Sequence, residues 1–279
     1  MATKKGKVVL VGAGPGDPEL ITVKAVNWLQ KAEIVLVDRL VSPQIIEDYV
    51  SHYAEVIPVG KQCGRGSSTP QSYINELLVK YAREGKLVIR LKGGDVSIFS
   101  NILDELQVLA ENKIDYEIIP GITAATGIAA FAAIPLTARN HSKAVRFLTY
   151  YKTDVFSDEY WNQLAQTDDT LVFYMSSETA ADIVENLTRN GISRDKLLAV
   201  VEQGTTPNQQ VTISNLYEYS HSTINRSLAS PSLLIIGKVV GLHQQYKWLK
   251  NGLSTEEYFE PVVPQPLEYY SGKQKLHIA

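Results

Sequence analysis

Three glycine-rich turns, each following a short β-branched run, are the places in this chain where bare backbone can meet a ligand. Gly12-Ala13-Gly14-Pro15-Gly16-Asp17-Pro18 follows Lys7–Val11, Lys92-Gly93-Gly94-Asp95 follows Leu87–Leu91, and Pro120-Gly121-Ile122-Thr123-Ala124-Ala125-Thr126-Gly127 follows Tyr116–Ile119. Open α/β sheets take their ligands at the carboxyl ends of strands, so three small-residue loops at one end of one sheet predict a shared pocket. The first turn invites a dinucleotide, but the third glycine of that fingerprint would fall at Asp17. Asp17-Pro18 brings negative charge to the spot where phosphates need backbone donors. Asp38, ending the next strand, does mimic the ribose-binding acid of such folds, so a nicotinamide or flavin oxidoreductase stays as an alternative. A turn rich in glycine yet hostile to phosphate suits a neutral or cationic ligand whose flat parts press on backbone, as a sulfonium cofactor would. An ordinary strand-to-helix turn that needs glycine only for positive φ reads the same way.

These turns need a parallel sheet to hold them. Around them, β-branched runs alternate with segments of helical period, which is the pattern of α/β architecture. Strands are predicted at Lys7–Val11, Glu33–Val37, Ala54–Pro58, Leu87–Leu91 and Tyr116–Ile119. A helix capped by Thr69, with Pro70 at its first position, presents Ile74, Leu77, Leu78 and Tyr81 on one face and stops at Gly85. Another starts at Thr22 and buries Val23, Val26 and Leu29. After Ile134-Pro135 the alternation restarts, with strands at Val145–Tyr150, Thr170–Tyr174, Leu197–Val201 and Ser232–Val239 and a helix from Ser177 to Asn190 closed by Gly191. The expectation is an α/β protein of two lobes, residues 1–134 and 135–250, each a mainly parallel sheet flanked by helices. An active-site cleft is expected between the lobes, and a Pro- and Tyr-containing tail over 251–279.

Composition narrows the partners. The 279 residues carry 27 Lys and Arg against 30 Asp and Glu, and a net charge of −3 argues against nucleic acid, which needs a clustered excess of cations. Forty-four per cent hydrophobic and 20% charged residues exclude a disordered or fibrous chain. No run of about 18 apolar residues marks a membrane span, and Val8–Val11 is too short for the core of a signal peptide. The single cysteine, Cys63, forms neither an internal disulfide nor a cysteine-based zinc site; no metal site is read, and a reducing, cytoplasmic compartment fits.

Taken in order, Val11 to Pro18, Asp38-Arg39-Leu40-Val41-Ser42, Gly60-Lys61, Arg90-Leu91-Lys92-Gly93-Gly94-Asp95 and Pro120 to Gly127 resemble the tetrapyrrole methylases, and most nearly those that methylate uroporphyrinogen III. The likeness runs from about Lys7 to Leu249 and includes Phe173-Tyr174-Met175, Glu202-Gln203-Gly204-Thr205 and Ser230-Pro231-Ser232-Leu233. It implies a two-lobed methyltransferase, usually a homodimer, that binds S-adenosylmethionine and methylates uroporphyrinogen III twice to give precorrin-2, on the way to sirohaem and cobalamin. By the same resemblance Pro15, Gly93, Gly94, Asp95, Ile98, Thr123, Ala124, Met175 and Gly204 line the cofactor site, and Lys61 matches a proton donor. A macrocycle that gains a methyl group must lose a proton, and Asp38 is the first candidate to take it. The substrate's acetate and propionate groups call for cations, of which Arg39 and Arg139, with Arg65 and Arg146, are the candidates.

The chain departs from the family pattern on the substrate side. Where the family continues after Gly-Gly-Asp with Pro-Phe and then Gly-Arg-Gly-Gly-Glu, this chain has Asn101 in place of the arginine and Asp104 in place of the first acid. A histidine common beyond Gly-Lys is missing around Arg65 to Ser68, and Ala138 stands where another histidine is common. These losses leave two alternatives open: a methylase acting on another precorrin-type substrate, and a cofactor-binding homologue with impaired catalysis.

Overall fold

The computed structural model describes residues 5–60, 68–219, 228–254 and 256–259. Two units emerge, one running to Thr123 and including Phe259, the other spanning Ala124–Tyr258. The division falls at 123/124, ahead of the expected 134/135, because the helix that follows Thr123 is bonded into the second unit.

The first unit alternates β1 (Lys7–Gly12), α1 (Val23–Leu29), β2 (Ile34–Val37), α2 (Pro43–Tyr49), β3 (Glu55–Pro58), α3 (Gln71–Arg83), β4 (Leu87–Lys92), α4 (Ile102–Glu111) and β5 (Asp115–Ile119). Its sheet is wholly parallel, in the order β3-β2-β4-β1-β5. Such a sheet is covered on both faces, and the period of two sorts its side chains accordingly. Val9, Val11, Val35, Ile89 and Leu91 pack with Ala25, Leu29 and Ile45 of α1 and α2. Val8, Leu10, Ile34, Leu36 and Val88 pack with Ile74, Leu77, Leu78 and Leu109 of α3 and α4.

Capping explains where the helices start. Thr22 Oγ1 accepts from the Ala25 N–H, opening α1 as predicted, but its buried stripe is Ala25 and Leu29; Val23 is 77% exposed. A first-turn residue beside the cap faces outward, whereas Ala25 and Leu29, four apart, share the inner face. In α3, Pro70 rather than Thr69 is the capping residue, and Ile74, Leu77 and Leu78 are buried as predicted.

A charge cluster joins the edge strand to its neighbours: Lys7 Nζ and Lys24 Nζ each lie 2.7 Å from a carboxylate oxygen of Glu117. Hydrogen bonds from Lys24 and then Lys7 hold this acid down to about 2 from an ordinary 4.5. A depressed carboxylate contributes stability above its unfolded value and loses it as pH falls through the folded one. Glu117→Gln should therefore melt below wild type at neutral pH, with the gap closing between about 4.5 and about 2 in a pH series of thermal melts.

The second unit contains α5 (Ala124–Phe131), β6 (Val145–Thr149), α6 (Asp158–Gln166), β7 (Thr170–Tyr174), α7 (Ala180–Arg189), β8 (Leu197–Glu202), β9 (Gln210–Asn215), β10 (Ser232–Gly237) and α8 (His243–Tyr246). Its sheet order is β6-β7-β10-β8-β9. Only β6 and β7 run parallel; β10 is antiparallel to both β7 and β8, and β9 to β8. The expected mainly parallel sheet is corrected here. Residues 203–209 are too few to carry a crossover helix, so the chain folds straight back from β8 into β9. Trp161 and Leu164 of α6 and Ile183, Val184 and Leu187 of α7 pack on Leu171, Phe173, Leu198, Val200, Leu234 and Ile236.

The start of the expected tail is docked on this unit. The Gly252 N–H donates to the Gln209 carbonyl at 2.8 Å, and Gln203 Nε2 donates to the Glu256 carbonyl at 3.0 Å. Among the described residues no helix is long and apolar enough to cross a membrane.

Candidate active site

In the first sheet, right-handed crossovers carry the chain leftward from β1 to β2 and rightward from β4 to β5, putting α1 and α4 on opposite faces. The reversal falls between the adjacent strands β1 and β4, and their carboxyl ends carry the first two glycine turns. This is where open sheets leave a crevice.

The turns are tied to each other. The Ala13 N–H donates to the Lys92 carbonyl at 2.8 Å, while Gly14 and Gly94 exchange two backbone hydrogen bonds of 3.1 and 2.7 Å. A Cβ on Gly12 would lie 2.6 Å from Gly121 N, and one on Gly121 only 2.3 Å from the Gly94 carbonyl oxygen. A Cβ on Gly93 would meet the Leu40 carbonyl oxygen at 2.7 Å. The missing side chains thus let loops touch, and what the rim offers a ligand is the half-buried backbone of Gly93, Gly94 and Gly121 beside the buried Pro15.

Asp95 completes the tie between the second and third turns. One of its oxygens accepts from the Ser97 N–H at 2.8 Å and from the Ser97 hydroxyl, the other from the Gly121 N–H at 2.8 Å. Burial alone would push this acid up; the hydrogen bonds from Ser97 and Gly121 outweigh it and hold the carboxyl below its usual range. Ile98 and Thr123 sit half-buried on the same loops. At the first turn, Asp17 Oδ1 already accepts from the Glu19 N–H at 2.8 Å, and Pro18 brings no N–H at all. The Glu19 amide is thereby taken and Pro18 has none, so this turn offers a pyrophosphate fewer donors than a dinucleotide-binding turn does.

Asp38 stands at the end of β2, its N–H donating to the Leu91 carbonyl at 2.9 Å. Its Oδ1 accepts from Arg90 at 3.0 Å, and its side chain keeps 27% exposure. Arg90 in turn meets Glu105, which also holds Lys92, and all three are buried. Arg90 and Lys92 lie within the matched motif, and the resemblance assigns neither a role. A legible signal existed: two cations two residues apart in a strand otherwise made of Leu, Val and Ile point to one face and demand buried acids there.

The second unit gathers Ala124, Met175 and Gly204 around α5. The Ala125 N–H donates to Tyr174 Oη at 2.9 Å, one residue before Met175, and a Cβ on Gly204 would lie 2.3 Å from Ile128 Cγ1. Trp248 Nε1 and His243 Nδ1 bond to the Ala130 and Ala132 carbonyls at 3.1 and 2.6 Å, fixing the far end of the same segment. Met175 is left-handed at φ 51° and 47% exposed, and Gln203 and Thr205, flanking Gly204, are left-handed too at 49° and 66°. Non-glycine residues held there cost about 1 kcal/mol or more each, and such strain collects at ligand sites.

Arg39 is half-buried beside Leu40, whose carbonyl meets Gly93. Arg139 is exposed on the turn closed by the Ala138–Ser142 bridge. Arg146 is paired with Asp169 at 2.7 Å, which makes it a structural cation of β6. Lys61 and Arg65 lie outside the described residues. No group of three or more His, Cys, Asp or Glu is placed to hold a metal among the described residues.

The fold is similar to that of solved methyltransferases built from two α/β units. The chain belongs to the tetrapyrrole (corrin/porphyrin) methylases, whose family model matches residues 7–220. It is 41% identical over 262 residues to a siroheme synthase of Pseudoalteromonas translucida (strain TAC 125), covering 94% of this chain and 55% of that protein. The chain spans about half the length of the curated relatives it matches. Among solved structures, the uroporphyrin-III-C-methyltransferase from Thermus thermophilus superposes with a TM-score of 0.73 at 33% identity, over 89% of this chain and all of that one. A structure of the Thermus thermophilus uroporphyrin-III C-methyl transferase complexed with S-adenyl homocysteine gives a TM-score of 0.69 at 31% identity, covering 84% and 93% of the two chains.

Proposed function

We propose that this chain transfers methyl groups from S-adenosylmethionine to carbon atoms of uroporphyrinogen III, twice, giving precorrin-2. The observation that carries the reading is the backbone-lined switch point of the first sheet, with its turns locked by the Gly14–Gly94 pair and by Asp95 and with the Glu19 amide already taken by Asp17. When bound, the cofactor supplies an activated methyl group. The protein's part is to hold two ligands in line, which makes an encounter unimolecular. In the first unit Pro15, Gly93, Gly94, Asp95, Ile98 and Thr123 are the proposed cofactor contacts; Ala124, Met175 and Gly204 are those of the second. Asp38 takes the one proton the macrocycle loses for each methyl cation it gains, Lys61 is the proposed donor to ring positions that exchange a proton without net gain, and Arg39 and Arg139 grip substrate carboxylates. The same reading has the chain working as a homodimer in the cytoplasm.

A second reading rests on Asn101. It is exposed, left-handed at φ 52°, and makes no side-chain bond to the helix it precedes, where the family pattern has an arginine. Loss of that cation favours either another precorrin-type macrocycle or cofactor binding without turnover. Incubating the purified chain with enzymatically generated uroporphyrinogen III and S-adenosylmethionine separates these: mass spectrometry should find one and then two added methyl groups. Tight binding of the cofactor product with no methylated macrocycle would leave only the second reading.

A further inference from the structure

The four charges beneath the carboxyl end of the first sheet form a closed set. Arg90 is 2% exposed, and its guanidinium is engaged in every direction: Nε donates to Glu105 Oε1 at 2.9 Å, one terminal nitrogen to the Leu36 and Leu91 carbonyls at 3.3 Å each, and the other to Asp38 Oδ1 at 3.0 Å. Glu105 is fully buried, and its second oxygen accepts from Lys92 Nζ at 3.0 Å. Two cations and two anions cancel, and only Asp38 reaches solvent, at 27%. Burial, then the nearby Arg90 charge, pushes the Lys92 ammonium below its ordinary range, partly offset by Glu105 and Asp38.

Resting on the function proposed above, we infer that Arg90 is a positioning residue for Asp38, and that Glu105 and Lys92 lock Arg90 in place. The physical case has two parts. A buried ion network is a poor source of stability, since well-packed apolar residues of the same volume often do as well or better, so its presence here needs another reason. A planar guanidinium fixed by Glu105 and two carbonyls has no rotamer freedom left, so it imposes one orientation on the carboxylate it meets. Asp38 therefore presents a fixed carboxylate at the sheet's carboxyl end, with one oxygen held from beneath. General-base catalysis depends on that kind of placement, because the acceptor must stand within hydrogen-bond reach of the proton it takes.

The test is a double-mutant cycle on turnover, with a structural readout beside it. Arg90→Lys should lower kcat by about 10–100-fold, because an ammonium cannot hold both acids in the same geometry. KM for uroporphyrinogen III and affinity for S-adenosylhomocysteine should stay within about threefold, since neither depends on the Asp38 carboxylate. Combined with Asp38→Asn, the loss should not multiply: the double variant should be no slower than Asp38→Asn alone. A merely structural Arg90 would give losses that multiply, and that result, or wild-type kcat in Arg90→Lys, overturns the inference. Glu105→Gln, of equal size, covers the case in which Arg90→Lys does not fold, and the same non-additivity is expected of it. Crystal structures of whichever variant folds should show the Asp38 carboxylate rotated from its wild-type place, and an unmoved carboxylate overturns the inference independently of activity. A wild-type chain that methylates nothing would remove the proposed function, while those structures still decide whether Arg90 positions Asp38.

Discussion

Gly121→Ala should destabilise the first unit by about 3 kcal/mol or more, lowering its melting temperature by roughly 6–12 °C. The new Cβ would stand 2.3 Å from the Gly94 carbonyl oxygen and 2.8 Å from Gly12 C, both backbone atoms with no side-chain freedom to yield. Moving Gly121 also breaks its N–H bond to Asp95, so affinity for S-adenosylhomocysteine should fall with stability. Gly191→Ala makes the contrast. Gly191 needs a left-handed conformation, φ 72°, but its nearest neighbour would be the flexible tip of Gln166 at 3.9 Å, so only the conformational cost of about 1 kcal/mol applies. Calorimetric melts of the two variants check the difference. Equal melting temperatures would mean that the three turns do not touch as described.

Asp38→Asn should reduce kcat by about 10²–10⁴-fold while KM and product affinity stay within threefold. The amide is isosteric and its oxygen can still accept from Arg90, so the geometry survives while the capacity to take a proton is lost. Its stability cost should be well below the roughly 3–5 kcal/mol of a fully buried broken pair, because 27% exposure lets water screen the change. Single-turnover assays of the variant measure this directly. A rate within threefold of wild type would remove Asp38 from the chemistry.

The first sheet was legible to within a residue or two at each strand end, because its inner strands β1, β2 and β4 are mainly apolar runs cut off by Gly or Asp, as at Lys7–Gly12 and Leu87–Lys92. The second sheet was not legible in the same way. Strand β9, Gln-Val-Thr-Ile-Ser-Asn, is half polar and sits at an edge, and the direction of β10 depends on pairings far apart in sequence. Helix α5 hid inside a small-residue stretch, since Ala124–Phe131 with Gly127 shows no polar face to mark a helical period. Its membership of the second unit follows from the Tyr174, His243 and Trp248 bonds, which no local pattern announces.

At the site, the positions of Asp38 and the three turns followed from where strands end. The partner of Asp38 did not. It depends on the register that sets Leu36 opposite Arg90, and on α4 delivering Glu105 from another crossover. The two cations of β4 were readable as a demand for buried acids, but which acids would answer was a tertiary fact.

Co-crystallising the chain with S-adenosylhomocysteine tests the site most directly. The ligand should lie against the backbone of Gly93 and Gly94 and beside Thr123, with the Gly14–Gly94 pair intact. Density for it elsewhere on the chain, or no binding at millimolar concentration in solution, would contradict the assignment of this rim as the methyl-donor site.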